Sequence, residues 1–232
     1  MGKQIPKTER MSVLLFLLAL LVAPVTTKAQ ININGTSFDV NAGLPYIITN
    51  AGTFTVTDSL IDADKTLQFD ISTTDIVTII WEATLTSDNP FIGKLLEITG
   101  TGSIYSTLVV NGTMTTLGSL CNAVVTRGNV IVNGGVIQTW GTGSAAIIAD
   151  GYVTVNDGTV ASDGNYSVAI FANGDVTLNG GMVVTNGHDS CSISSGGNVY
   201  VNGGTVAANG NNGVDITTAE DGSVIFTDDS QR

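Results

Sequence analysis

Along the middle of the chain, apolar and polar residues alternate in short runs that break at Asn or Gly and then resume. Val153 and Val155 alternate with Tyr152 and Thr154 until Asn156-Asp157-Gly158 interrupts. Val160 leads a second run ended by Gly164, and Val168 and Ile170 lie in a third that ends at Asn173-Gly174. Period-two alternation of β-branched residues between Asn and Gly breaks predicts strands and turns rather than helix. The whole pattern then recurs every 23 residues. The copies NVIVNGGVIQTWGTGSAAIIADG, YVTVNDGTVASDGNYSVAIFANG and DVTLNGGMVVTNGHDSCSISSGG begin at Asn129, and NVYVNGGTVAANGNNGVDITTAEDG follows with two residues inserted.

Placed in register, Val130, Val153, Val176 and Val199 form one apolar column, and Val132, Val155, Leu178 and Val201 a second. Ile147, Ile170, Ile193 and Ile216 form a third, with the small residues Ala146, Ala169 and Ser192 beside it. Gly128, Gly151, Gly174 and Gly197 also stack, as do Gly141, Gly164, Gly187 and Gly210. Repeats of this size bury their apolar faces against one another. Three short strands per coil, each paired with its equivalent in the next, predict an all-β fold, a right-handed parallel β-helix. At about 3.3 Å per residue one coil traces roughly 75 Å, enough for three sides around a filled core. A leucine-rich repeat would need a Leu consensus and a helical return, whereas valine leads here and the return half is strand-like. A calcium-binding nonapeptide roll would need recurring G-G-x-G-x-D, and a hexapeptide helix a period divisible by six.

Asn111, Asn133, Asn156, Asn179 and Asn202 share a column. The expectation for them is structural: turn residues at left-handed backbone positions, with stacked amides bonded along the axis. Residues 30–105 keep the strand texture with a blurred period and read as an N-terminal cap and irregular early coils. They are continuous with regular coils over 106–232 in one elongated domain. Trp81 and Phe91 are expected in that cap or core.

Residues 1–29 read as a signal peptide, with a basic start, the apolar run SVLLFLLALLVAPV and a small-residue cleavage site before Gln30. The run is too short and wrongly flanked for a stable membrane span. The whole chain carries 8 Lys and Arg against 20 Asp and Glu, a formal charge of −12. Cleavage would remove Lys3, Lys7, Arg10, Lys28 and Glu9, leaving an export form more acidic still. Nucleic acid is therefore excluded as a partner, because the charge has the wrong sign. Cys121 and Cys191 fall in different columns three coils apart, about 14 Å by layer spacing, beyond the reach of a disulfide. Both are expected as small buried side chains.

Catalytic chemistry finds little support. Arg127 is the one cation within the regular repeats, His188 lies in a polar turn, and Asp150, Asp157, Asp163, Asp175, Asp189 and Asp215 fall in different columns. Neither a paired-carboxylate hydrolase nor a uronate lyase is written there. The outward positions are more suggestive. Tyr152 and Tyr200, with Phe171 nearby and Asn129, Asp175 and Asn198 among them, are the candidate carbohydrate-binding residues. Aromatic rings pack on sugar faces while amides and carboxylates take the hydroxyls. The two tyrosines are expected on one sheet, about 10 Å apart by layer spacing.

The pattern V-x-[VI]-N-G-G-x-[VI]-x-[AT]-x-G-x-x-[GS]-[VA]-x-I-x-A-x-G, over about residues 106–226, resembles the secreted bacterial family of carbohydrate-binding domain-containing proteins. The resemblance implies a right-handed β-helix similar to polysaccharide lyases, binding of plant-type polysaccharides, a bacterial source and Ca²⁺ sites. The family's recurring G-D-G-I is replaced here by Gly143-Ser144-Ala145-Ala146-Ile147 and its counterparts, so the acidic residue expected at such sites is mostly missing. No other cofactor is expected. The sequence thus leads to a secreted or cell-surface, non-catalytic protein whose partner is a polysaccharide or cell-surface glycan. The alternatives are an adhesin or structural solenoid, and a divergent polysaccharide lyase.

Overall fold

In the computed structural model, residues 30–60 and 62–227 are described. The expected signal peptide at 1–29 lies outside them. Parallel strands stack into a β-solenoid. One side is an eight-stranded sheet running from Tyr46–Ile48 to Val214–Thr218, and the remaining sides belong to a fifteen-stranded sheet. The 23-residue register holds throughout the regular coils. Val130 pairs with Val153, Val153 with Val176 and Val176 with Val199, while Ile147, Ile170, Ile193 and Ile216 pair in turn on the eight-stranded side. All these columns point into one core, and nearly every member is fully buried. Each apolar side chain thus packs on its own equivalent one coil away.

Two features differ from three separate strands per coil. In two coils the first and second strands run together, as Asn129–Thr139 and Val153–Ser162, with the register slipping around Asn133. The corner is turned by a bulge that keeps the backbone paired, and Gly158 sits there at φ +93°, open to glycine without strain. In the early coils the repeat lengthens: Gly52 pairs with Val77 and Val77 with Ser106. The additional residues go into turns, and the strands stay parallel.

The Gly141 file marks the tightest approach between coils. A Cβ on Gly141, Gly164, Gly187 or Gly210 would lie 1.8–2.0 Å from the carbonyl oxygen of the glycine one coil below. No side chain fits that gap, which is why the file is glycine throughout.

The N-terminal end is sealed. Gln30–Ile33 and Thr36–Asp39 form a hairpin through Asn34-Gly35, at φ 50° and 82°, and the first strand pairs antiparallel with Gly52–Thr57. This Asn-Gly turn matches the right-handed twist of its strands. Behind the hairpin, Tyr46 meets Phe38, Phe54 and Phe69 edge-on at 5.5, 6.4 and 5.7 Å. Trp81 is buried as expected, but Phe91 is 92% exposed. It stands on a turn of the lengthened early repeat, where no neighbouring layer covers it.

The cysteines are free and three coils apart. Cys121 is buried, whereas Cys191 is only half-buried, because its column faces outward alongside Val168 and Val214.

Candidate functional site

The Asn column forms a hydrogen-bonded file on the surface. The Nδ2 of Asn156 donates to Oδ1 of Asn133, Asn179 to Asn156 and Asn202 to Asn179, each at 2.8 Å, and Thr227 closes the file at 2.8 Å. Asn111 stands one coil below, its backbone N–H bonded to the Trp81 carbonyl at 2.9 Å. The Asn side chains are exposed, and the expectation of left-handed backbone is corrected, since none of these residues has positive φ. The amide stack, rather than left-handed geometry, accounts for asparagine in this file.

Of the sequence-predicted binding residues, five stand on adjoining files of the fifteen-stranded sheet and its corner, and Phe171 stands on the other sheet. Asn129, Tyr152, Asp175 and Asn198 stand in one file at a corner, and each coil bonds the next there. Asn129 Oδ1 accepts the Tyr152 N–H at 3.1 Å, Asp175 Oδ1 the Asn198 N–H at 2.7 Å, and Asn198 Oδ1 the Ser223 N–H at 3.0 Å. These polar groups are therefore engaged in holding coils together. Tyr200 lies in the neighbouring file with Thr177, half-buried, its hydroxyl accepting from Asn198 Nδ2 at 3.3 Å. It is two coils and two strand positions from Tyr152, which puts their Cα atoms roughly 12 Å apart. Phe171 belongs to the eight-stranded sheet, paired with Ile148 and Ser194. Tyr152 and Phe171 are exposed, but the three aromatics do not share one sheet.

A second surface escaped the sequence reading. Five-residue turns at 117–121, 140–144, 163–167, 186–190 and 209–213 join the second strand of each coil to the third. Backbone bonds fix their register: Trp140 N–H to Thr116 O at 2.9 Å, Asp163 to Thr139 at 2.8 Å, Leu120 to Thr142 at 2.9 Å, Gly143 to Asn165 at 2.8 Å and Tyr166 to His188 at 2.8 Å. One file therefore reads Leu117, Trp140, Asp163, Asn186 and Asn209. Another reads Leu120, Gly143, Tyr166, Asp189 and Asn212, and Ser119, Thr142, Asn165 and His188 lie between them. Trp140 is 51% exposed and Tyr166 66%, with exposed Leu117 and Leu120 one coil below Trp140. Leu120 leans over Gly143, where an added Cβ would meet its Cδ2 at 2.8 Å. A strip of apolar and aromatic side chains thus runs along the axis on one corner and gives way to amides towards the C-terminal end.

The Tyr166 file is also the left-handed file. Leu120, Gly143, Tyr166, Asp189 and Asn212 have φ of 56°, 67°, 55°, 51° and 55°. Gly, Asp and Asn tolerate that region; a bulky side chain there costs roughly 1–2 kcal/mol. Tyr166 accepts this cost with most of its surface in water, where burial returns little.

The polar groups around the strip are held in place. Asp163 accepts from Gln138 Nε2 at 2.7 Å and is bonded by the Asn186 amide; Asn165 Oδ1 takes the His188 N–H at 2.9 Å; and Asn212 Nδ2 donates to Asp189 at 2.9 Å. On another corner Arg127 lies 3.8 Å from Asp150, which also accepts from Asn173 at 2.9 Å. Arg127 thus has, among the described residues, a single acidic neighbour one coil above and no acidic cluster. Among the described residues, no group of three or more His, Cys, Asp or Glu side chains gathers where a cation could be held. Among these residues, the calcium implied by the family resemblance finds no such donor set. Among the same residues, no helix is long and apolar enough to cross a membrane.

Fold and site together define an acidic parallel β-solenoid with polar ladders on its corners and one aromatic strip. No family model, curated protein or solved structure matches this chain.

Proposed function

We propose that this is an exported, non-catalytic protein that binds polysaccharide through the turn strip carrying Trp140 and Tyr166. The observation that carries the reading is Tyr166. An aromatic residue held at φ 55° and 66% exposed, in the left-handed file it shares with Leu120, Gly143, Asp189 and Asn212, adds strain without burial. Strain of this kind concentrates where a side chain has work outside the fold. Exposed rings beside Asn165, Thr142 and His188 suit a sugar, whose apolar face stacks on the ring while its hydroxyls reach amide and hydroxyl partners. The pattern resemblance to secreted carbohydrate-binding proteins agrees with this reading, and the signal-like leader supplies export.

The test is a glycan array on the purified protein, followed by binding to the best polysaccharide found. Trp140→Ala and Tyr166→Ala should each weaken binding several-fold, since a stacked ring contributes about 1 kcal/mol. Tyr152→Ala and Tyr200→Ala should change it little. The reading fails if no glycan is retained, and in that case the solenoid is better understood as an adhesin or spacer. Loss confined to the Tyr152 and Tyr200 variants would return the site to the face first read from the sequence.

A further inference from the structure

The two ends of the solenoid are finished differently. At the N-terminal end an antiparallel strand seals the fifteen-stranded sheet. At the other end Thr205–Ala208, Val214–Thr218 and Val224–Phe226 are the last strands on their sides among the described residues, and none of those residues pairs above them. Val224 and Phe226 are exposed there. Val201, Val206, Ile216 and Phe226 line a shallow cavity of about 200 Å³ in the open layer, and Asp215 shares its wall. Free strand edges over an apolar layer are a template for pairing with another chain.

Asp215 occupies a telling place in that layer. The registers of Cys191 with Val214 and of Ile193 with Ile216 put it directly above Ser192, in the inward column of Ala146 and Ala169. Those three are fully buried, and among the described coils Asp215 is the one charge in that column. Asp215 is exposed, and its carboxylate accepts the Ala208 N–H at 2.6 Å. A further β layer placed on this end would enclose the carboxylate among Val201, Val206, Ile216 and Phe226, with no cation among those side chains to pair it. Inward-pointing charge is one of the ways sheet edges are protected.

We propose that Asp215 is a stop residue, whose carboxylate keeps the open C-terminal layer from pairing edge to edge with a second copy of this chain. The partner that fits the layer is another such layer, because it offers unpaired strand edges and an apolar interior of matching width. This inference stands on the end of the solenoid and is independent of glycan binding.

Sedimentation velocity over a wide range of protein concentration tests it. The parent protein and Asp221→Asn, which removes one exposed turn charge, should both remain monomers. Asp215→Ala restores the column residue of Ala146 and Ala169 and should give a concentration-dependent species of doubled mass. Adding Val224→Lys to that variant should return it to monomer, which places the contact at the open end. Asp215→Asn retains an acceptor for the Ala208 N–H and should also associate, so it decides the matter if the Ala variant folds poorly. The proposal is overturned if both Asp215 variants stay monomeric while folded. It is equally overturned if the parent already dimerises, or if Asp221→Asn associates as readily.

Discussion

At the scale of single residues, backbone approach and not side-chain preference decides the most restrictive positions. Gly164 is within the regular repeat, and a Cβ there would lie 2.0 Å from the Gly141 carbonyl oxygen. Gly164→Ala must push two coils apart and should destabilise by on the order of 3 kcal/mol in chemical denaturation. Gly134→Ala is the control, since nothing lies within 4 Å of its added Cβ. It should be neutral or stabilise by up to about 1 kcal/mol, as an unstrained Gly→Ala change restricts the unfolded chain. The cysteines divide in the same way. Burial pushes the Cys121 thiol above its ordinary value, so it stays protonated at neutral pH. As pH rises, the unfolded chain loses this proton first. The stability it contributes is therefore complete below the ordinary thiol range and is lost as pH climbs through the folded-state value. An alkylating reagent at neutral pH should label half-buried Cys191 in the folded protein and reach Cys121 only after denaturation. Equal labelling of both would contradict the burial of Cys121.

At the scale of elements, strands and turns are held by different forces. Inward columns of Val and Ile stack on their equivalents, while the corners are tied by amide and carboxylate ladders in water. Asn156→Leu removes two side-chain hydrogen bonds from an exposed file without straining the backbone. It should cost about 1 kcal/mol, visible as a lowered denaturation midpoint with an unchanged slope. A loss several times larger would mean that the file acts as a buried network. Strand columns were legible in the sequence because alternation and a fixed period report directly on which side chains face the core. Ladder geometry was only half legible. Asn133 and Asn156 could be placed in one file, but the neighbouring Gly-rich bulge, and not the Asn itself, absorbs the positive φ. The turn strip was missed for a related reason. Trp140, Tyr166 and Leu120 are not alike, so a search for repeated residues passes over them, and only the register of the turns brings them together.

At the scale of the whole molecule, a 23-residue period builds a repeating scaffold, and departures from the period carry what is particular to this chain. The consensus positions specify the solenoid. Trp140 and Tyr166 break the polar pattern of their turns, and Asp215 breaks a column of small uncharged residues at the C-terminal end of the described coils. Fold class could be read because every regular coil repeats the same alternation and turns. The turn strip could not, since its residues occur once each. Native chains carry such locally unfavourable residues where function requires them, and their removal tends to raise stability.

That relation supplies the most direct test. Tyr166→Gly gives the left-handed position the residue that suits it, as Gly143 does one coil below. The account predicts that this variant is more stable than the parent by about 1 kcal/mol in denaturant titration, while its affinity for the polysaccharide found on the array falls several-fold. A variant that gains stability and binds as the parent does would contradict the assignment of Tyr166 to the site.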